Sequence, residues 1–174
     1  MPDIYFLILT AADAQALIKK DTGITLKQYF EPIQPTWIDH YGHLNEAYYL
    51  VAFSNATWPL QSHIGVGKTY YNETGCALYT VESHLCYLKE IRAPALLCVN
   101  SMILGAKDKK LWIGHELEVD GVKRATCESI LIHFDTTIKK ATSMPLHIQA
   151  NISKEVVETH PKWVGREVSL EKKK

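Results

Sequence analysis

The sequence predicts an α+β domain in which one long helix lies in the concave face of a curled antiparallel sheet of about five strands. Three observations carry this expectation. A polar loop from Trp37 to Tyr49, rich in acid, histidine, glycine and asparagine, runs straight into an apolar helical segment. Four long segments between Cys76 and Phe134 read as strands. The 174 residues suit one domain with a sizeable core.

Residues 1–26 read as an N-terminal extension. Thr10 with Asp13 looks like a capping box opening a short helix through Lys20, which Gly23 would close. The main body is expected over residues 27–136. Leu26 to Ile33 reads as its first strand, stopped by Pro35. The helix is expected to start near Asn45, with Ala47, Tyr48, Leu50, Val51, Phe53, Ala56 and Leu60 placed nearly all round it. A helix apolar on most faces is a buried helix. Pro59 is expected to kink or restart it, because proline lacks the N–H and clashes with the turn before. Gly65 and Gly67 mark its end.

Cys76 to Glu90 reads as a strand with Ala77, Tyr79, Val81, Leu85 and Tyr87 on one face, and Leu78, Thr80, Glu82, His84, Cys86 and Leu88 on the other. Leu96 to Gly105 is a second strand, with a turn at Lys107 to Lys109. Leu111, Ile113, His115, Leu117 and Val119 alternate through a third. Asp120-Gly121 is the strongest hairpin signal in the chain, and Val122 to Phe134 makes the fourth strand. Strands this long exceed the usual length, and long strands twist and curl. A curled sheet with one buried helix places that helix in its concave face. Residues 137–174 read as a C-terminal segment, with Ser153 capping a short helix through His160, Pro161 stopping it, and a polar tail after Trp163.

The formal net charge is zero, so electrostatics give no case for nucleic acid or an anionic membrane. No apolar run is long enough to span a bilayer. The chain begins Met-Pro-Asp, without the basic region that precedes a secretory apolar core. Its four cysteines form no C-x-x-C pair, which argues against a zinc or redox motif and for a reducing, cytoplasmic setting. A serine elbow, a phosphate loop and a dinucleotide fingerprint are all missing.

What remains is the loop before the helix. Asp39 is placed just ahead of a helix N-terminus, where backbone N–H groups and the helix dipole offer partial positive charge. Taken alone, such an aspartate is most often a turn or capping residue. Its company shifts the reading. Gly42 permits a tight backbone, Asn45 can order the loop, and Glu46 can present its backbone N–H at the first turn. This residue order supplies a base and an oxyanion donor within a few positions. His43 is either a hydrogen-bonded loop residue or one that orients Asp39. His40 and His43 lack the spacing partners of a metal site, so no metal is expected. Glu82 and His84 share one strand face. They line the site if that face turns to the helix and form a solvated pair if it turns outward. The aromatics Trp37, Tyr41, Tyr48, Tyr49, Trp58 and Trp112 are more often core than a cofactor box.

The loop, the helix and the sheet together resemble the hotdog-fold acyl-CoA thioesterases of the 4-hydroxybenzoyl-CoA type, over roughly residues 27–136. Trp37-Ile38-Asp39, Gly42-His43-Leu44-Asn45-Glu46, Tyr49-Leu50, Ala52-Phe53, Ile64-Gly65-Val66 and Thr80-Val81-Glu82-Ser83-His84 are similar to the thioesterase module fused to carnitine dehydrogenases. Stand-alone relatives of that module are assigned to betainyl-CoA hydrolysis. The resemblance implies an acyl-CoA substrate with no cofactor, and a homodimer or higher oligomer joined edge to edge through its sheets. It further implies Asp39 as the catalytic carboxylate, the Glu46 N–H as polariser of the thioester carbonyl, and His43 and Asn45 as loop-ordering residues. A trimethylammonium acyl group would make Trp37, Tyr41, Tyr48 and Trp58 candidate substrate contacts, with Glu82 and His84 beside them. Where that branch has Tyr-Asn after the aspartate, this chain has His40-Tyr41. Two other expectations stand beside hydrolysis: a silent hotdog module that binds acyl-CoA, and a hotdog hydratase. The hydratase would want Asp-x-Asn-x-x-His, which Tyr41 and Leu44 break.

Overall fold

A computed structural model describes residues 28–166 and Val168. The expected helix of the N-terminal extension, and the first two residues of the first predicted strand, lie outside the described residues.

The strand β1 spans Gln28–Pro32, and a 3-10 turn covers Pro35–Trp37. The long helix α1 spans Glu46–His63, and a short helix α2 spans Lys68–Thr74. Four strands follow: β2 Cys76–Tyr87, β3 Leu96–Lys107, β4 Lys110–Val119 and β5 Val122–Asp135. A two-residue strand β6, Lys140–Ala141, and a helix α3, Leu146–Ser153, complete the described elements. The sheet order is β1-β3-β4-β5-β2, every pairing antiparallel, with β6 added beside β5. Asp120 and Gly121 take φ of 52° and 70°, the left-handed pair that a type I′ hairpin turn requires.

The helix α1 lies against the concave side of the sheet. Ala52 and Ala56 are small enough to bring its backbone close, and Phe53 fills the space between them. Opposite them sit Leu97, Val99, Leu117, Ala125 and Cys127, which alternate inward along β3, β4 and β5. A second cluster joins Leu60 and Ile64 to Ile103, Leu111, Ile113, Leu131, Ile148 and Ile152.

Three expectations need correction. First, α1 is not buried all round: Leu50, Val51 and Trp58 are exposed, because the side packed on the sheet is the one that carries Tyr49, Ala52, Phe53, Ala56 and Leu60. It also runs through Pro59 as one helix and does not restart. Second, α2 was not anticipated. Its signal is the bracket of Gly67 ahead of it and Gly75 behind it, the latter at φ 69° with its N–H on the Tyr71 carbonyl. Third, Ser153 ends the C-terminal helix rather than opening it, its hydroxyl donating back to the Gln149 carbonyl. Pro145 stands at the front of α3, where a missing N–H costs nothing, and the spacing of Ile148 and Ile152 turns both into the core.

Beyond α3 the chain crosses to the convex face. Among the described residues β1 pairs with β3 as far as Asn100, and Val156 bridges to Ile103 further along the same strand. His160 Nε2 then meets the Leu104 carbonyl at 2.7 Å. Trp163 donates to Glu116 at 2.6 Å and lies over Gly114, where an added methyl would come within 2.9 Å of its ring. Gly165 N–H reaches Glu128 at 2.9 Å.

One buried polar group ties α1 to the sheet. His115 stacks on Phe53, with Ser101 Oγ 2.9 Å from Nδ1 and Thr57 Oγ1 3.1 Å from Nε2. The Thr57 hydroxyl already donates to the Phe53 carbonyl, so Nε2 carries the proton and Nδ1 accepts from Ser101. Burial pushes the His115 ring down to about 4. Its ordinary value is about 6.5. Between those values the unfolded chain binds a proton that the folded chain does not, so folding stability falls as pH drops through this window. We expect about 3 kcal/mol of stability to be lost from pH 6.5 to 4 through this ring alone. Urea unfolding across that range should show a steeper pH dependence for the wild type than for His115→Gln. Equal slopes would contradict the assignment.

Candidate active site

The residues from Ile38 to Leu44 form a closed loop because its hydrogen bonds span only a few positions. Ile38 and Leu44 bridge its neck. Asp39 N–H donates to the His43 carbonyl at 2.9 Å, and Gly42 N–H to the Asp39 carbonyl at 3.0 Å. Gly42 takes φ 79°, a conformation in which a side chain is strained. Two further bonds set the loop on the body: Asn45 N–H to the Trp37 carbonyl at 2.9 Å, and Leu44 N–H to the Ile91 carbonyl at 2.8 Å.

Inside this loop one oxygen of Asp39 is fully engaged. Oδ1 accepts from Tyr41 N–H at 2.9 Å and from His43 N–H at 3.2 Å. Oδ2 has no hydrogen-bond partner among the described residues. Desolvation pulls the Asp39 pKa upward, but the bonds from the His43 and Tyr41 N–H groups, helped by the nearby histidine rings, outweigh it. The carboxyl therefore sits below its ordinary value and is ionised at neutral pH. Asn45 is the N-cap of α1, its Oδ1 accepting from Ala47 N–H at 3.0 Å. The first helical N–H, that of Glu46, donates to no acceptor among the described residues. A free carboxylate oxygen and a free N–H at the positive end of a helix thus belong to adjoining segments.

The remaining predicted residues fall into three groups. His43 acts on Asp39 through its backbone. Its ring turns toward Glu90, 3.0 Å from Nε2, and toward the Arg92 guanidinium. Nε2 cannot serve both, since it donates to Glu90 in one tautomer and accepts from Arg92 in the other. Tyr41 likewise gives Asp39 its N–H, while its ring packs on His40 and is 71% exposed. Trp37 and Tyr48 stack face to face at 5.2 Å beside the start of α1, against the core.

Trp58, Glu82 and His84 are not with them. Trp58 follows the cap by thirteen residues, which at the rise of a helix is about 20 Å along the axis. Glu82 and His84 lie on the convex face. Their register partners are Ile130 and Glu128, whereas Ser83 and Leu85 pair with Ser129 and Cys127 on the helix side. With Trp112, Glu128 and Arg166 they line a separate cavity of about 290 Å³. The reason is a bulge between Thr80 and Glu82, which moves the residues before it to the opposite face from the residues after it. Leu78 and Glu82 therefore do not share a side, though simple alternation says they do.

Tyr87 was missed. Its hydroxyl donates to the Glu46 carbonyl at 3.2 Å, and its ring meets Tyr49 edge to face at 5.2 Å. Burial first, then the Glu46 carboxylate, push its hydroxyl above the ordinary value. Its only signal was its place on the same strand face as Leu85. Cys98 and Cys127 are not thiolates at neutral pH, since burial pushes both thiols up to about 11.

The thioesterase-like superfamily matches residues 33–152. The chain belongs to that superfamily. It is a hotdog-fold thioester hydrolase, as the Asp39 loop, the single seated helix and the antiparallel sheet led us to expect. It is 33% identical over 152 residues to the betainyl-CoA thioesterase of Pseudomonas aeruginosa, covering 83% of this chain and 95% of that one. It is 40% identical over 110 residues to an L-carnitine dehydrogenase/betainyl-CoA thioesterase of Agrobacterium fabrum. That match covers 63% of this chain and 22% of the longer one, so this thioesterase corresponds to about a fifth of the fused protein. A Staphylococcus aureus protein solved in complex with CoA superposes with a TM-score of 0.76 at 20% identity, covering 83% of this chain and 95% of that one. No helix among the described residues is long and apolar enough to cross a membrane.

Proposed function

We propose that this acyl-CoA thioesterase hydrolyses betainyl-CoA, with Asp39 as general base or nucleophile and the Glu46 N–H as oxyanion donor. The observation that carries the chemistry is the asymmetry of Asp39. Two backbone N–H groups engage Oδ1 and fix the carboxylate, leaving Oδ2 for the reaction. The substrate class is supported by the kinship with the Pseudomonas enzyme over nearly its whole length.

As a base, Oδ2 takes a proton from water while the water oxygen bonds to the thioester carbon. Charge moves to the carbonyl oxygen, where the Glu46 N–H and the dipole of α1 stabilise it. Collapse breaks the C–S bond, and CoA leaves as the thiolate, which the proton held by Asp39 then neutralises. As a nucleophile, Oδ2 bonds to the carbon itself, expels CoA and leaves a mixed anhydride that water cleaves. Either route needs the ionised carboxylate that the loop's N–H groups favour. Asn45 fixes the helix start, and the backbone of His43 fixes Asp39.

The same reading includes a homodimer. β2 exposes Tyr79 and Val81 along a 12-residue edge strand with no partner on its outer side among the described residues. An edge of that length and apolarity is normally paired or covered. The four free cysteines support a reducing, cytoplasmic setting.

Asp39→Asn should lower turnover at least about a hundredfold while leaving folding nearly intact, since the amide keeps the shape and can still accept at Oδ1. Near-normal turnover in a folded variant would defeat the assignment. A single turnover in heavy-oxygen water tests the nucleophilic route: label in the enzyme carboxylate requires an anhydride that water opens at the aspartyl carbon.

The substrate reading is tested by comparing betainyl-CoA with 3,3-dimethylbutyryl-CoA, which share a shape and differ in charge. After correction for the base hydrolysis of each ester, kcat/KM should favour betainyl-CoA by about tenfold or more. A corrected ratio near one removes betainyl-CoA and leaves the general thioesterase.

Light scattering with activity measured across the same dilution series should show a dimer whose dissociation abolishes turnover. An active monomer would remove this part of the reading.

A further inference from the structure

In a betainyl thioester a single carbon separates the ammonium nitrogen from the carbonyl carbon. Whatever recognises the charge must therefore lie beside the group that polarises the carbonyl. This requirement sorts the aromatic residues. Trp58 is about 20 Å along α1 from the cap, and Trp112 is on the convex face. Tyr41 packs its ring on His40 and reaches the site through its backbone N–H. Trp37 and Tyr48 each use one face on the other and rest against the core.

Tyr87 meets the requirement. Its hydroxyl is bonded to the carbonyl of Glu46, the residue whose N–H is the proposed oxyanion donor. Its contact with Tyr49 is edge to face, and the residue is 52% exposed, so the ring presents surface at the mouth of the site. The hydroxyl bond and the Tyr49 contact together hold that ring in place. An exposed aromatic ring attracts a quaternary ammonium through its quadrupole without needing a hydrogen bond.

We infer that Tyr87 is the specificity residue of this thioesterase, the ring against which the trimethylammonium head of the acyl group rests; the inference builds on the betainyl reading above. The Glu46 carboxylate, close enough to act on the Tyr87 hydroxyl, is the competing source of cation preference.

The experiment measures kcat/KM for betainyl-CoA and 3,3-dimethylbutyryl-CoA in the wild type, Tyr87→Phe, Tyr87→Leu and Glu46→Gln. Comparing each variant's ratio with that of the wild type cancels the intrinsic reactivity of the esters, and the neutral ester controls for folding. Tyr87→Leu should lower the betainyl preference about tenfold, and Tyr87→Phe, which keeps the ring, should hold it within about twofold. If the wild type prefers betainyl-CoA and Tyr87→Leu keeps that preference, or slows both esters equally, the inference fails alone. If Glu46→Gln loses the preference and Tyr87→Leu does not, the carboxylate is the recognising group and Tyr87 is not. A wild-type preference of one removes the substrate reading and this inference with it.

Discussion

The close seating of α1 on the sheet is the constraint from which the site's geometry follows. Ala52 and Ala56 let the helix backbone approach, and Phe53 and Leu60, both essentially fully buried, hold it there. Each of those two large side chains contributes roughly 1.5–3 kcal/mol by leaving water. With the helix so placed, its N-terminus has one position relative to the sheet. Asn45 marks that point, and the Asp39 loop is tied to it through the Trp37 carbonyl and to the β2–β3 connection through the Ile91 carbonyl. The carboxylate and the first helical N–H belong to adjoining segments, but it is the packing of the helix that orients one against the other.

The protein resolves two ionisable groups in opposite ways. Asp39 sits in a loop near solvent, where N–H groups stabilise its charged form. His115 sits inside the core, where desolvation keeps the ring neutral and two hydroxyls satisfy both nitrogens. The first arrangement preserves a reactive charge. The second joins α1 to β3 and β4 without placing a charge in the core. His133, also buried, sits at the other end of the sheet between the Tyr70 hydroxyl at 2.8 Å and the Thr142 carbonyl at 2.9 Å.

The two faces of the sheet have different tasks. The concave face carries the helix and, at its N-terminal end, the groups of the candidate site. The convex face carries the segment after α3, anchored by Trp163 over Gly114 and by Gly165 on Glu128. His84 and Glu82 belong to that second surface. The edges differ as well: β3 is covered partly by β1 and partly by Val156, while β2 has no partner on its outer side among the described residues.

The Asp39 loop was legible in the sequence because its bonds are local. Asp39 to Tyr41 and His43, and Asn45 to Ala47, span two to four residues, so residue type and spacing suffice to place them. The strands and the Asp120-Gly121 hairpin were legible for the same reason, since alternation and turn chemistry act over short range. Tertiary structure alone decided the rest. Tyr87 meets Glu46 across 41 positions, and Arg92 meets His43 across 49, contacts that exist only once strand register and helix seating are set. Alternation along β2 reports that two faces exist and not which one meets the helix, and a single bulge reverses the assignment of Glu82 and His84. Ser153 and Pro145 show the same limit at α3: both residues can mark a helix end, and the burial of Ile148 and Ile152 selected which end each would mark. Local hydrogen-bonding preferences are written in neighbouring residues, whereas the facing of an amphipathic surface is settled by what the rest of the chain packs against it.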